Sequence, residues 1–200
     1  MRKGFFARLA LTNIRKNRKV YYPYLLTAII TTAMLYIICS LSSNPSLGSD
    51  TLMFSLQLGV FVTSVFSVVF LFYTNSFLMK RRKREFGLFN ILGMEKKHIG
   101  RVVGWETLFI LLLSLLGGFG FGILLDRLMY MLLSRMLGDI ALPTFYVSSQ
   151  AMVLTLTITG ATFALIFLNS LRQIHTSKPI ELLRGGEVGE REPKARWLLA

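Results

Sequence analysis

Cysteine is all but missing from this 200-residue chain: Cys39 stands alone, inside an apolar run. A single thiol excludes a disulfide framework and a cysteine metal set, and reads as a small buried hydrophobe. Histidine is nearly as scarce. His98 and His175 have no cysteine or acidic cluster at metal-ligand spacing, so each is read as a solvated interfacial residue. Acids are few, 10 Asp and Glu against 23 Lys and Arg, for a net charge of +13. No G-x-x-x-x-G-K-[ST] occurs, so this chain alone is not expected to hydrolyse ATP. No Ser-His-Asp set can be nominated. The glycines from Gly117 to Gly122 are no dinucleotide fingerprint: no strand precedes them, and Ile123 occupies the sixth position. The basic balance does not point to nucleic acid, because base-reading polar groups mixed with aromatics on a soluble face are absent.

What the chain has is long apolar runs, at 53% apolar residues. Charges are confined to blocks between the runs, the pattern of an integral membrane protein. Residues 1–20 carry seven positive charges and no acid. Phe5, Phe6, Leu9, Ala10 and Ile14 form one apolar side of a short helix, which suits an interfacial helix. A cleaved signal peptide is disfavoured, because the basic region and the following apolar run are too long and no small-residue cleavage site follows. Spans are expected near 21–41, 52–79, 102–125 (with apolar character to 133) and 151–171. Tyr21, Tyr22 and Tyr24 open the first as an interfacial aromatic belt, with Pro23 in its first turn. Gly118 and Gly122 have the GxxxG spacing that lets two helices approach closely. Glu106 is the only acid within an expected span and lies about one turn from its end, so it is expected to snorkel to water.

The stretch from Lys80 to Ile99 separates the second and third runs. From Lys80 to Arg101 it holds eight Lys/Arg and two Glu. Lys80, Arg81, Arg82, Lys83 and Arg84 suit anionic lipid headgroups and fix topology. Glu85, Phe86, Gly87, Leu88, Phe89, Leu92 and Gly93 follow. Phe86, Leu88, Phe89 and Leu92 form an apolar ridge, Gly93 supplies a helix stop, and Glu85 is expected to pair with Arg81, Arg82 or a partner arginine. The segments 1–20 and 80–101 have net charges of +7 and +6, against −1 for 42–51 and 0 for 126–150. The positive-inside rule then puts both basic segments and the linker after the fourth span in the cytoplasm. The fold class is an all-α integral membrane protein. Four spans occupy 21–184, with an interfacial helix over 1–20 and a cytoplasmic coupling helix over 80–99 between the second and third spans. Residues 185–200 form a charged linker. Arg196-Trp197-Leu198-Leu199-Ala200 looks like the opening of a fifth span, which suggests a piece of a larger permease.

Lys83-Arg84-Glu85-Phe86-Gly87-Leu88 followed by Leu92-Gly93-Met94-Glu95-Lys96-Lys97-His98-Ile99 resembles the segment after the second helix of FtsX-like/MacB-type ABC permeases. Phe86-Gly87-Leu88-Phe89-Asn90-Ile91-Leu92-Gly93-Met94 is most similar to the Bce-type branch of Firmicutes. Asn13-Ile14-Arg15-Lys16-Asn17 and Pro179-Ile180-Glu181-Leu182-Leu183-Arg184 agree, so the likeness covers essentially the whole chain. The resemblance implies a permease in the bacterial plasma membrane that serves resistance to bacitracin and other peptide antibiotics. It also implies a cytosolic ATPase partner, which would carry ATP and Mg, with no cofactor on the permease. The residues 85–89, 92 and 93 would dock on that ATPase. Bce-type permeases have about ten helices and a large extracellular domain late in the chain, and this sequence has neither.

Two other functions compete. One is a membrane sensor or adaptor that partners a histidine kinase without transport of its own, and Bce-type permeases are themselves tied to such kinases. The other is a stand-alone secondary transporter, which the scarcity of intramembrane charge argues against.

Overall fold

The computed structural model describes residues 4–44, 50–91, 93–136 and 148–176, without the side chains of Lys83, Arg84 and Asn90. Residues 1–3, 45–49, Leu92, 137–147 and everything after Thr176 lie outside the described residues. All regular structure among the described residues is helical. The helices are α1 (Phe5–Lys16), α2 (Arg18–Ser42), α3 (Asp50–Ile91), α4 (Lys96–Met136) and α5 (Ser149–Thr176). The last four contain spans of 25, 33, 41 and 28 residues that are long and apolar enough to cross a membrane.

Three boundaries differ from the sequence reading. The first is α2, which begins at Arg18 after a break at Asn17, so Pro23 lies inside the helix rather than in its first turn. The second is α3, which does not stop at Met79 but runs 42 residues to Ile91. Lys, Arg and Glu are good helix formers, so charge alone gives the helix no reason to end there. The basic run therefore lies within the last three turns of α3 rather than in a separate coupling helix, and residues 96–99 of the 80–99 segment open α4. The third is α4, which is continuous to Met136. At 1.5 Å per residue α3 and α4 are each about 60 Å long, roughly twice the hydrocarbon thickness, so both project beyond it.

Gly93 makes the stop between α3 and α4. Its φ is +86°, among the described residues the one positive φ. The Met94 amide donates to the Phe89 carbonyl at 3.0 Å. This is the long bond of a Schellman cap, and Phe89 and Met94 both pack on the same apolar cluster, the contact that usually accompanies the motif.

At the centre is α2, packed against α4 and α3 and more lightly against α5. Tyr21, Tyr24 and Ala28 of α2 meet Leu71 and Leu78 of α3, Ile110 of α4, and Phe163 and Ile166 of α5. Glycines set the spacing. A Cβ on Gly118 would meet Thr32 Cγ2 at 2.6 Å, and one on Gly122 would meet Tyr36 Cδ1 at 2.9 Å. A second pair at the same spacing, Gly100 and Gly104, lies against Leu171 and Phe167 of α5. Small residues let backbones approach where no hydrophobic effect drives association. Asn75 adds a hydrogen bond to Ser170 at 3.0 Å between α3 and α5. Outside, α3 shows Phe54, Phe61, Phe66 and Tyr73, each more than half exposed. A helix that turns aromatics outward along its length is built for lipid or for other membrane helices, not for water.

Candidate functional site at the basic end of the bundle

The buried stripe of α3 passes through Ser67, Leu71, Asn75, Leu78, Met79, Arg82 and Phe86. These positions recur at three- and four-residue steps, so one face of a straight helix carries all of them inward. That phase decides which member of the basic run is internal. Arg82 is only 2% exposed, while Lys80 and Arg81 are exposed. The assignment of Arg82 to lipid headgroups is therefore corrected: its guanidinium faces the bundle. Lys80 and Arg81 do face outward, with the Arg81 guanidinium 4.7 Å from the centre of the Phe77 ring.

The partner of Arg82 is Glu106 of α4, also 2% exposed. The expectation that Glu106 snorkels to water is overturned by this pairing. The guanidinium grips the carboxylate with two nitrogens: Nη1 donates to Oε2, and Nη2 donates to Oε1 at 3.1 Å. Asn13 of α1 donates to Glu106 Oε1 at 3.1 Å, and the Tyr21 hydroxyl of α2 donates to Oε2 at 2.8 Å. Each carboxylate oxygen thus accepts two hydrogen bonds, its full capacity. Arg82 Nη1 also donates to the Tyr21 hydroxyl, and Nε donates to Glu85 at 3.2 Å. Glu85 accepts a further bond from Asn17, between α1 and α2, at 2.7 Å. The guanidinium lies over the Tyr21 and Phe86 rings, 5.3 and 4.8 Å from their centres. A buried ion pair needs bidentate geometry and satisfied lone pairs to offset its desolvation, and this one has both.

Below this cluster Met79 and Phe86 of α3 pack with Ile99 and Val103 of α4 and Ile174 of α5. Phe86 is 5% exposed and Phe89 half-buried, whereas Leu88 is 53% exposed. The four-residue ridge expected at this end is therefore split. Phe86 belongs to the core, Phe89 to the cap of α3, and Leu88 to the surface beside Ile91, which is 60% exposed. Gly87 is buried and Gly93 exposed. Glu85 keeps about a third of its side chain exposed. The start of α1 is fixed by Phe6, which stacks on His98 with ring centres 5.7 Å apart. Lys96 donates to the His175 carbonyl at 2.9 Å, placing a cation at the C-terminal end of α5. Of the aromatic belt expected at the start of the first span only Tyr22 is exposed, Tyr21 and Tyr24 being buried in the bundle; Asn13 and Asn17 had no individual role assigned from sequence. The signal for the Arg82 pairing was the phase of α3: extending its inward stripe past Met79 puts Arg82 level with Glu106 and turns both toward the start of α2.

Among the described residues no group of three or more histidines, cysteines or acids could hold a metal ion. The arrangement is a long helix end with an exposed apolar tip, clasped from inside to three neighbours.

Residues 57–178 match the family described as FtsX-like permease C-terminal, a stretch covering more than half of the chain. The chain belongs to the FtsX-like permease family. This FtsX-like chain is 30% identical over 164 residues to the bacitracin export permease protein BceB of Halalkalibacterium halodurans, covering 80% of this chain and 25% of that protein. It is 26% identical over 180 residues to BceB of Bacillus subtilis, covering 88% of this chain and 28% of the relative. The ABC transporter permease YvcS of Bacillus subtilis is 26% identical over 197 residues, 95% of this chain and 30% of the relative. The chain thus spans between a quarter and a third of the length of these curated relatives.

Proposed function

We propose that this chain is the membrane portion of an ABC permease that couples ATP hydrolysis on a separate cytosolic subunit to the detoxification or export of peptide antibiotics such as bacitracin. The reading of substrate rests on the BceB relatives, which are bacitracin export permeases. The observation that carries the coupling role is the end of α3. There a helix about twice as long as a membrane is thick ends in Leu88 and Ile91, both more than half exposed, beside an acid already held by Arg82 and Asn17. Exposed apolar anchors beside a fixed charge are what a docking partner reads. The basic end faces the cytoplasm by the positive-inside rule, and Lys80 and Arg81 hold it to anionic headgroups at about 1 kcal/mol each. ATP and Mg belong to the partner. A membrane sensor kinase is a further partner of the same system.

The test is co-purification. Leu88→Asp, at a surface site, leaves insertion and detergent stability unchanged and removes the ATPase from the purified complex. Retention of the ATPase at wild-type levels moves the docking role away from this helix end. Capture of a histidine kinase alone, with no ATPase, replaces the transport reading with a sensor.

A further inference from the structure

We propose that Arg82 and Glu106 are positioning residues that lock α1, the start of α2 and the basic ends of α3 and α4 into one rigid unit, so that the N-terminal helix is part of the coupling apparatus. This rests on the coupling role of α3 given under the proposed function. An α-helix end that projects from a bundle is free to rotate about its axis unless something off-axis holds it. Here the hold is directional. The Arg82 guanidinium is planar and takes Glu106 with two nitrogens, which fixes orientation as well as distance. Glu106 brings in α1 through Asn13 and α2 through Tyr21. Glu85, one turn beyond Arg82 and partly exposed, is tied to the junction of α1 and α2 through Asn17. A push received at Leu88 or Glu85 therefore reaches α1, α2 and α4 through hydrogen bonds within two turns. Apolar packing at Phe86 also fixes distance, but a ring in an apolar cluster resists twisting far less than a two-pronged ion pair.

The structural alternative is that the pair merely neutralises buried charge. A double variant separates the two. Replacing a buried ion pair by apolar residues of similar volume often leaves stability intact. The combined Arg82→Met and Glu106→Leu variant therefore keeps the bundle assembled while removing the directional hold. Spin labels at the exposed positions Thr12 of α1 and Lys80 of α3 report the distance between the two helices in nanodiscs, with no ATPase present. The expected result is a narrow distribution in the parent and one at least twice as broad in the double variant, at an unchanged unfolding midpoint. The conservative Arg82→Lys variant, which keeps the charge and loses the fork, is intermediate. In complex with the ATPase, the double variant loses at least tenfold of the peptide-dependent change in ATP turnover while the ATPase stays bound. Distributions of equal width in parent and double variant overturn the proposal whatever the ATPase does. Broadening in the double variant, with no ATPase bound to the parent, supports the rigid unit and counts against the coupling role of α3 instead.

Discussion

Arg82 is one of five consecutive basic residues, and helical phase alone separates it from Lys80 and Arg81. Its inward position makes it the residue whose loss matters most for stability. Removing one member of a buried pair leaves the other charged and without its partner, at a cost of about 3–5 kcal/mol. Glu106→Ala is therefore expected to lower the unfolding midpoint in detergent sharply, and Lys80→Ala, at an exposed position, to leave it within error. Equal effects of the two substitutions would show the pair to be idle. Glu106 was visible in the sequence as the only acid in an expected span, but its partner was not. A run of like charges carries no internal mark of phase. The register of α3 could be carried into the run only once the helix was known to continue past Met79. Asn13 and Asn17 were hidden for a different reason: nothing in an asparagine before a span says that its amide meets a carboxylate 93 or 68 residues away.

At the level of the helices, the four spans were legible because each is an apolar run of sufficient length, uncharged but for Glu106. Their ends were not, because α3 and α4 continue as helices where hydropathy falls. The spacing of Gly118 and Gly122 pointed to a close helix contact without naming its partner, which is α2, and the contact of α4 with α5 through Gly100 and Gly104 was not legible. The latter pair sits at the edge of the basic segment, where a membrane packing motif is not sought. The packing makes a contrast available within one helix. A Cβ at Gly118 meets Thr32 Cβ at 2.7 Å, whereas one at Gly120 meets nothing within 4 Å. Gly118→Ala must push α2 and α4 apart and is expected to cost about 1–3 kcal/mol, as overpacking does. Gly120→Ala is expected to be neutral or mildly stabilising, since alanine is the better helix former. Thermal unfolding of the two variants side by side gives the comparison, and a Gly118→Ala midpoint equal to that of Gly120→Ala would deny the α2–α4 contact.

For the whole molecule, the chain is a membrane bundle with two unlike ends. One end gathers most of the basic residues, the Arg82–Glu106 clasp and the capped tip of α3. The other carries Asp126, whose Oδ2 accepts from Ser40 at 2.8 Å. Between them an outward apolar surface runs the length of α3. Family membership agrees with this layout, and under the proposed function the basic end is where a separate ATPase docks. Photo-crosslinking in living cells reads that contact directly. A benzophenone side chain placed at Leu88, on the exposed tip, is compared with one at Phe61, on the outward face of α3. The predicted result is an adduct at Leu88 with a protein that carries a G-x-x-x-x-G-K-[ST] nucleotide-binding loop, and no such adduct at Phe61. Capture of the nucleotide-binding protein at neither position, with both variants inserted and stable, would contradict a coupling role for the end of α3.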